Sequence, residues 1–142
     1  MQFGREGRLH TILVVEDVEA VRKLVCAMLT HSGYNCVEAS DGVEALRIVN
    51  DAPLAVDLVV TDMIMPEMGG AELEREVSRV RPGVPFVFIS GYTEDPLVRD
   101  VERSRGLFLA KPFTAAALME MVRSALEPDS RGTTEPFSRS AP

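Results

Sequence analysis

One stretch, VDLVVTDMIMPEMGG (residues 56–70), decides the fold of this chain. Its first part, VDLVVT (residues 56–61), is a short apolar run rich in β-branched residues, and an aspartate follows it directly at position 62. Runs of this kind are typical of strands that are buried on both faces, as in a parallel sheet. The stretch therefore predicts a central strand of a parallel sheet that leads into a carboxylate.

Four more strand patterns lie on either side of this one. Two are equally apolar, TILVV (Thr11–Val15) and PFVFI (Pro85–Ile89), and two are weaker, Asn35–Ala39 and Gly106–Leu109. Strands of this length fit a sheet of ordinary size. We therefore expect five strands in the chain.

Helical patterns separate the strands. Apolar residues recur at helical spacing in the segments Val21–Leu29, Gly70–Val80 and Leu118–Leu126. Asp41, followed three residues later by Glu44, resembles a capping box for a helix that runs to Val49. Asp95, directly before Pro96, starts a further short helix. This alternation predicts an α/β fold, a doubly wound five-stranded parallel sheet with helices on both faces.

The composition is that of a single globular domain with a polar end. The 142 residues include 15 Lys and Arg against 22 Asp and Glu, which gives a formal charge of −7, and 46% of them are hydrophobic. A chain of this length and composition can bury a sizeable core. We expect a leader at residues 1–9, one folded domain at residues 10–127 and a disordered, Pro-rich tail at residues 128–142.

Several classes of protein are disfavoured by the same composition. The acidic balance opposes attraction to nucleic acid, and the residues after Leu126 are too few for a DNA-binding output domain. The longest apolar runs are too short for a membrane span, and residues 1–9 lack the apolar core of a signal peptide. Cys26 and Cys36 form no zinc pattern and are expected to be small, buried, reduced apolar residues. We expect a cytoplasmic protein with no nucleic-acid or membrane partner.

Charged and polar side chains follow four of the predicted strands. In chain order they are Glu16 and Asp17 after the first strand, Asp62 after the third, Ser90 after the fourth and Lys111 just after the fifth. In open α/β sheets the functional crevice lies beyond the carboxyl ends of the strands. These five side chains are therefore expected to converge on one crevice.

The five side chains suit phosphoryl transfer. Three carboxylates in one crevice repel one another and favour a bound cation. Magnesium (Mg2+) is the expected cation, because it accepts carboxylate ligands and keeps positions for water and phosphate oxygens. Lys111 adds a positive charge, and the Ser90 hydroxyl adds a donor. A carboxylate nucleophile, a metal and two further donors are the groups that such a reaction needs.

Four motifs resemble those of a known family. They are ILVVED (Ile12–Asp17), DLVVTDMIMPEMGG (Asp57–Gly70), FISGY (Phe88–Tyr92) and FLAKPF (Phe108–Phe113). In this order and spacing they resemble the receiver domain of the two-component response-regulator family, from about Arg8 to Leu126. The resemblance implies a flavodoxin-like fold with strand order 2-1-3-4-5. The last two motifs resemble receivers of hybrid sensor kinases, although a stand-alone receiver fits as well.

The resemblance also implies roles for individual residues. Asp62 would be the phosphoacceptor, Asp17 the direct Mg2+ ligand, and Glu16 would act on the metal largely through water. The backbone carbonyl of Ile64 would be a further metal ligand, and Lys111 would bind the phosphoryl group.

Two further positions match the family's switch residues. Ser90 would move toward the phosphoryl oxygens, and Phe108 would then turn inward. The peptide bond between Lys111 and Pro112 would be cis.

The implied function is that of a phosphoacceptor in two-component or phosphorelay signalling. The phosphoryl group would come from phosphohistidine on a sensor histidine kinase or a histidine phosphotransfer protein, and it would switch protein contacts. The domain would promote its own phosphorylation and dephosphorylation without being a turnover enzyme. A monomer, or a weak dimer that depends on phosphorylation, is the expected state.

Three other interpretations remain beside this one. A haloacid-dehalogenase-like phosphatase also has an Asp nucleophile after a strand, but it needs a second Asp two residues later, where this chain has Ile64. A flavodoxin-like FMN carrier needs a polar, Gly-rich phosphate loop after the first strand, where Glu16 and Asp17 would repel phosphate. The third is a receiver that has lost phosphorylation and serves as a scaffold.

Overall fold

The structure is a computed structural model that describes residues 9–51, 55–91 and 107–127. Five strands lie in this part of the chain: β1 (Thr11–Val15), β2 (Asn35–Ala39), β3 (Leu58–Asp62), β4 (Phe86–Ser90) and β5 (Leu107–Ala110). The helices there are α1 (Glu19–His31), α2 (Gly42–Asn50), α3 (Gly70–Val80) and α4 (Ala115–Leu126). The helix expected from Asp95, residues 1–8 of the expected leader and the expected tail at residues 128–142 lie outside the described residues.

All five strands form one sheet, and every pair of neighbours is parallel. The order of the strands is β2-β1-β3-β4-β5, which confirms the expected fold class and topology. The apolar side chains of β1, β3 and β4 alternate between the two faces, so the sheet has a core on each side. One core packs against α2 and α3, and the other packs against α1 and α4.

The strands that carry the candidate site end later than the sequence predicts. β3 includes Asp62 and β4 includes Ser90, so both residues end a strand rather than follow one. The parallel hydrogen-bond pattern continues past these ends, because the N–H of Met63 donates to the Ile89 carbonyl over 2.9 Å and that of Lys111 donates to the Ser90 carbonyl over 3.0 Å. The carboxyl edge of the sheet is therefore held by main-chain bonds where the polar side chains emerge.

The start of α2 differs slightly from a capping box. Asp41 caps the helix as predicted, since its Oδ1 accepts from the N–H of Glu44 over 2.8 Å. The Glu44 carboxylate, however, accepts from the N–H and hydroxyl of Ser40, one residue before the cap. Among the described residues, no helix combines the length and apolar character needed to cross a membrane.

Gly70, the first residue of α3, allows this helix to approach the end of β3. A Cβ atom at this position would lie 2.7 Å from the carbonyl oxygen of Asp62 and 3.2 Å from the ring of Phe88. Contacts below 3.0 Å with main-chain atoms require the backbone to move. The absence of a side chain here therefore sets how closely α3 packs beside Asp62.

We expect Gly70→Ala to destabilise the protein by about 1 to 3 kcal/mol, the usual cost of overpacking. An alanine in a helix normally gains up to about 1 kcal/mol over glycine, so a net loss would show that the close contact with Asp62 dominates. Urea unfolding measures the difference. Gly91→Ala is the matched control, because a Cβ there would meet nothing within 4 Å. Equal stability of the Gly70 variant and the parent would contradict the packing argument.

Candidate functional site

Three carboxylates meet at the carboxyl edge of the sheet. Glu16 and Asp17 directly follow β1, and Asp62 is the last residue of the neighbouring strand β3. One carboxylate oxygen from each of the three residues lies within 4.8 Å of the others. Three of the five side chains expected to converge are therefore together, and they form an acidic cluster of Glu16, Asp17 and Asp62.

Glu16 is the buried member of the acidic cluster, with only 4% of its surface exposed. Its Oε2 accepts a hydrogen bond from the N–H of Val18 over 3.0 Å, and its own N–H donates to the Ala39 carbonyl over 3.1 Å. Burial raises the pKa of Glu16 to about 7, and the negative charge of Asp62 contributes to the rise. Near neutral pH this carboxyl group is therefore held at the boundary between its charged and neutral forms.

Asp62 lies at the centre of the site. Its Oδ1 accepts from the N–H of Met63 over 2.9 Å and lies 3.7 Å from Nζ of Lys111. Burial raises the pKa of Asp62 above its usual range, although Lys111 and the Met63 N–H lower it. This carboxylate thus lies close both to a cation and to two other carboxylates.

The remaining predicted residues differ in burial. Ser90 is buried at the end of β4, whereas Lys111 is exposed directly after β5 and its bond to Pro112 is cis as expected. Phe108 of β5 is half-buried, and its ring lies 5.5 Å from that of Phe88. Ile64 lies in the loop after β3 with 51% of its surface exposed.

Arg22 also supports the acidic cluster, although its sequence position does not indicate this role. Its Nη1 donates to the main-chain carbonyl of Glu16 over 2.9 Å, and its Nε pairs with Glu38 of β2 over the same distance. The guanidinium therefore ties α1 to the loop that carries the acidic cluster. Nothing in the local sequence marks this Arg, because the contact arises from the packing of α1 across β2.

The acidic cluster fits a Mg2+ ion. The three carboxylates supply hard oxygen ligands, and the pKa values of Glu16 and Asp62 are raised partly by neighbouring negative charge. A divalent cation would offset this repulsion, and Mg2+ accepts one or two carboxylates while keeping positions for other oxygens. Asp17, the exposed member of the cluster, is the carboxylate best placed to be reached from solvent.

In the absence of metal we expect Glu16→Gln to stabilise the protein above pH 7. A pKa that rises from 4.5 to about 7 on folding means that the folded state binds the proton more tightly. The free energy of unfolding of the parent therefore falls as pH rises through this interval, by roughly 3 kcal/mol, and stays low above it. Glutamine keeps an oxygen for the Val18 N–H but cannot ionise.

Urea unfolding in buffer with a chelator, at pH 4.5 and pH 8, measures this effect. The variant and the parent should differ much more at pH 8 than at pH 4.5. Glu120→Gln, an exposed position within α4, is the matched control and should leave the pH dependence unchanged. A parallel pH dependence in Glu16→Gln and the parent would show that Glu16 is not the responsible group.

The fold and the site together define a class of protein, a flavodoxin-like α/β domain with an acidic, metal-competent crevice at the carboxyl edge of its sheet. A family model described as "Response regulator receiver domain" matches residues 12–123. The chain therefore belongs to the receiver-domain family of two-component signalling, as its motifs indicate. Members of this family are phosphoacceptors with a signalling role.

Relatives and a solved structure agree with this assignment. The sensor kinase CckA of Brucella abortus (strain 2308) is 42% identical over 118 residues, which cover 82% of this chain and 12% of that protein. The response regulator receiver protein CpdR of the same organism is 30% identical, and the match covers 83% of this chain and 98% of that protein. A crystal structure of the receiver domain from hybrid histidine kinase CckA superposes with a TM-score of 0.70 at 35% identity, covering 82% of this chain and 99% of that one.

Proposed function

We propose that the chain accepts a phosphoryl group at Asp62 from a phosphohistidine, in a reaction that depends on Mg2+, and thereby switches its contacts with other proteins. One observation carries this proposal. The Asp62 carboxylate lies 3.7 Å from the Lys111 ammonium group and within 4.8 Å of carboxylate oxygens of Glu16 and Asp17. A carboxylate nucleophile close to both a cation and a set of carboxylates that can hold a metal is the combination that phosphoryl transfer requires.

The described side chains have distinct parts in this reaction. A carboxylate oxygen of Asp62 attacks phosphorus, so that an O–P bond forms while the N–P bond to the donor histidine breaks. The Met63 N–H and Lys111 hold Oδ1, which leaves the second oxygen of Asp62 as the attacking atom. Lys111 then faces the phosphoryl oxygens, and the Ser90 hydroxyl donates to them.

Asp17 and Asp62 are the proposed carboxylate ligands of the metal. Glu16 would act largely through water, and the carbonyl of Ile64 would complete the protein ligands. Mg2+, when bound, supplies positive charge to the phosphoryl oxygens. The direct contact of Glu16 with the Val18 N–H supports its indirect role, because one of its oxygens is already engaged.

The structure offers less support for the other interpretations. The position that a phosphatase would use for its second acid is Ile64, an exposed apolar side chain. An FMN phosphate after β1 would meet the carboxylates of Glu16 and Asp17. A scaffold without phosphorylation would not need the facing lysine. We therefore favour the phosphoacceptor over the phosphatase, the FMN carrier and the scaffold.

We propose a sensor histidine kinase or a histidine phosphotransfer protein as the partner. The start of α1 lies next to the acidic cluster, and two exposed apolar residues there, Val18 and Leu24, suit contact with a partner helix. Transient contacts of this kind need only a modest interface. We further propose that residues 10–127 act as one unit, monomeric or weakly dimeric when phosphorylated, that works in the cytoplasm without nucleic acid or membrane.

Phosphotransfer from a histidine kinase labelled with radioactive ATP tests the function. We expect the label to move to this chain in Mg2+ and to remain on the kinase when a chelator is present. The labelled bond should be cleaved by hydroxylamine, as an acyl phosphate is. The proposal would be refuted if no histidine-phosphorylated protein of the same organism, and not acetyl phosphate either, transferred label to the chain.

We expect Ser90→Ala to separate phosphorylation from switching. The variant keeps the nucleophile, so it should still be phosphorylated. The variant lacks the buried hydroxyl that would donate to the phosphoryl oxygens. The displacement of Phe108 should therefore fall to less than about half of that in the parent chain. Ring resonances of Phe108, followed by NMR with the phosphoryl mimic beryllofluoride, report the displacement.

Ser90→Thr is the matched control for this experiment, because it restores a hydroxyl at the same position. It should recover most of the change at Phe108. A full change at Phe108 in Ser90→Ala would show that the hydroxyl does not couple the two positions.

A further inference from the structure

The two cysteines of the chain lie in direct contact. Cys26 is on α1 and Cys36 is on β2, and their Sγ atoms are 2.7 Å apart, with the Cys36 thiol as the donor. Both are free thiols in the structure. The expectation that both are buried holds for Cys26, which is 8% exposed, but Cys36 is only partly buried. Two thiols in direct contact, one of them partly exposed, can react with each other, which two separate buried thiols cannot do.

Neighbouring ion pairs hold the two cysteines in register. Glu38, two residues after Cys36 on the same face of β2, pairs with Arg22 over 2.9 Å and with Lys23 over 3.1 Å. Arg22 precedes Cys26 by one helical turn, so the two sets of contacts lie about 6 Å apart along both the helix and the strand. Because the spacings match, the ion pairs of Glu38 and the contact between the two sulfurs can form at the same time. The ion pairs thereby help to keep Cys26 of α1 opposite Cys36 of β2.

A small oxidant can reach the pair from the side of the sheet. β2 is the outermost strand of the sheet next to β1, and Cys36 lies near its beginning. The sulfurs would have to approach by only a small distance, since a disulfide bond is about 2.05 Å long.

The two thiols are also inequivalent. The hydrogen bond from Cys36 lowers the pKa of the Cys26 thiol, although burial and the negative charge of Glu38 raise it; the positive charges of Lys23 and Arg22 also lower it. The same hydrogen bond and burial raise the pKa of the Cys36 thiol. A thiolate is the nucleophile in thiol oxidation, so we assign the first attack to Cys26 and the resolving step to Cys36, an order that single variants test.

We propose that Cys26 and Cys36 form a redox modification site, at which hydrogen peroxide produces a reversible disulfide between α1 and β2. The Cys26 sulfur attacks one peroxide oxygen, the O–O bond breaks, and a sulfenic acid and one water form. The Cys36 sulfur then attacks the Cys26 sulfur, so that the S–S bond forms, the S–O bond breaks and the second oxygen leaves as water. Both thiols are oxidised and the peroxide is reduced to two waters.

This modification is independent of phosphoryl acceptance at Asp62. It would nevertheless act on an element of that site, because Arg22 of α1 donates to the Glu16 carbonyl. The cross-link would replace a thiol contact between α1 and β2 by a covalent bond beside the ion pairs of Glu38.

Mass spectrometry of the full chain before and after peroxide treatment tests the proposal. The chain contains two cysteines, so a complete reaction should remove every free thiol and leave the protein lighter by two hydrogen atoms. Proteolysis without reductant should then give one cross-linked peptide pair containing Cys26 and Cys36. Dithiothreitol should restore both thiols. Persistence of both free thiols, or a disulfide between two chains instead, would overturn the proposal.

Single variants test the order of the two steps. In Cys36→Ser the sulfenic acid on Cys26 has no resolving thiol, so dimedone should capture it. In Cys26→Ser the remaining thiol should react with peroxide at least about 10-fold more slowly, because it lacks the lowered pKa. Equal trapping by dimedone in the parent and in Cys36→Ser would show that no disulfide forms. The mass measurement on the parent chain decides the proposal even if a variant does not fold.

Discussion

Replacing Asp62 by asparagine is expected to abolish phosphorylation of the chain. Asparagine has almost the same shape and keeps an oxygen to accept from the Met63 N–H, which is 2.9 Å from Oδ1 in the parent. It lacks the carboxylate oxygen that attacks phosphorus, so the rate of labelling by acetyl phosphate should fall by more than about 100-fold. Label retained per chain, followed over time in Mg2+, measures this loss.

Two comparisons make the result specific to Asp62. Asp51→Asn replaces an exposed aspartate at the end of α2 and should be labelled like the parent. Urea unfolding should show that Asp62→Asn is at least as stable as the parent, because the variant removes a carboxylate whose pKa burial raises. Labelling of Asp62→Asn at the rate of the parent would show that another residue is the acceptor.

Much of the fold could be predicted from local sequence. Thr11–Val15 and Asn35–Ala39 are the observed bounds of β1 and β2, and Gly70–Val80 are those of α3. These elements are delimited by clear changes in hydrophobic pattern. The ends of β3, β4 and β5 are set instead by hydrogen bonds between strands. The hydrophobic pattern therefore predicts that β3 and β4 end one residue before Asp62 and Ser90, whereas both residues belong to these strands.

The convergence of the candidate site follows from topology. Residues that end parallel strands meet at one edge of the sheet, so Glu16, Asp17 and Asp62 could be placed together from their positions alone. The sequence does not predict how deeply each carboxylate is buried. Glu16 is buried and Asp17, its neighbour, is exposed, and the raised pKa of Glu16 depends on that difference.

Local sequence patterns also do not predict contacts that depend on how a helix crosses a strand. Arg22 with Glu38, and Cys26 with Cys36, join α1 to β2 across many residues of chain. Hydrophobic periodicity predicts that α1 packs on the sheet, but not the rotation and shift that align these pairs. The same limit applies to Lys111, whose 3.7 Å approach to Asp62 depends on the position of β5 beside β4.

Replacing Asp17 by alanine is expected to abolish measurable Mg2+ binding near neutral pH. Asp17 is the exposed carboxylate of the acidic cluster, and without it the cluster keeps only the buried Glu16 as a charged ligand besides Asp62. Two charges at such distances interact strongly in a partly buried site, so affinity should fall by on the order of 100-fold or more. Glu16→Ala should weaken binding less, because Glu16 is buried and its Oε2 already accepts from Val18.

Isothermal titration calorimetry measures both affinities, since the chain has no tryptophan to report binding by fluorescence. Asp17→Asn separates charge from shape, and it should lose most of the affinity that Asp17→Ala loses. Asp51→Ala, at an exposed acid outside the acidic cluster, should bind Mg2+ like the parent. Because a ligand that binds only the folded state stabilises it, Mg2+ should raise the melting temperature of the parent but not that of Asp17→Ala. Unchanged Mg2+ affinity in Asp17→Ala would exclude this residue as a ligand and leave Glu16 and Asp62 as the charged ligands of the metal.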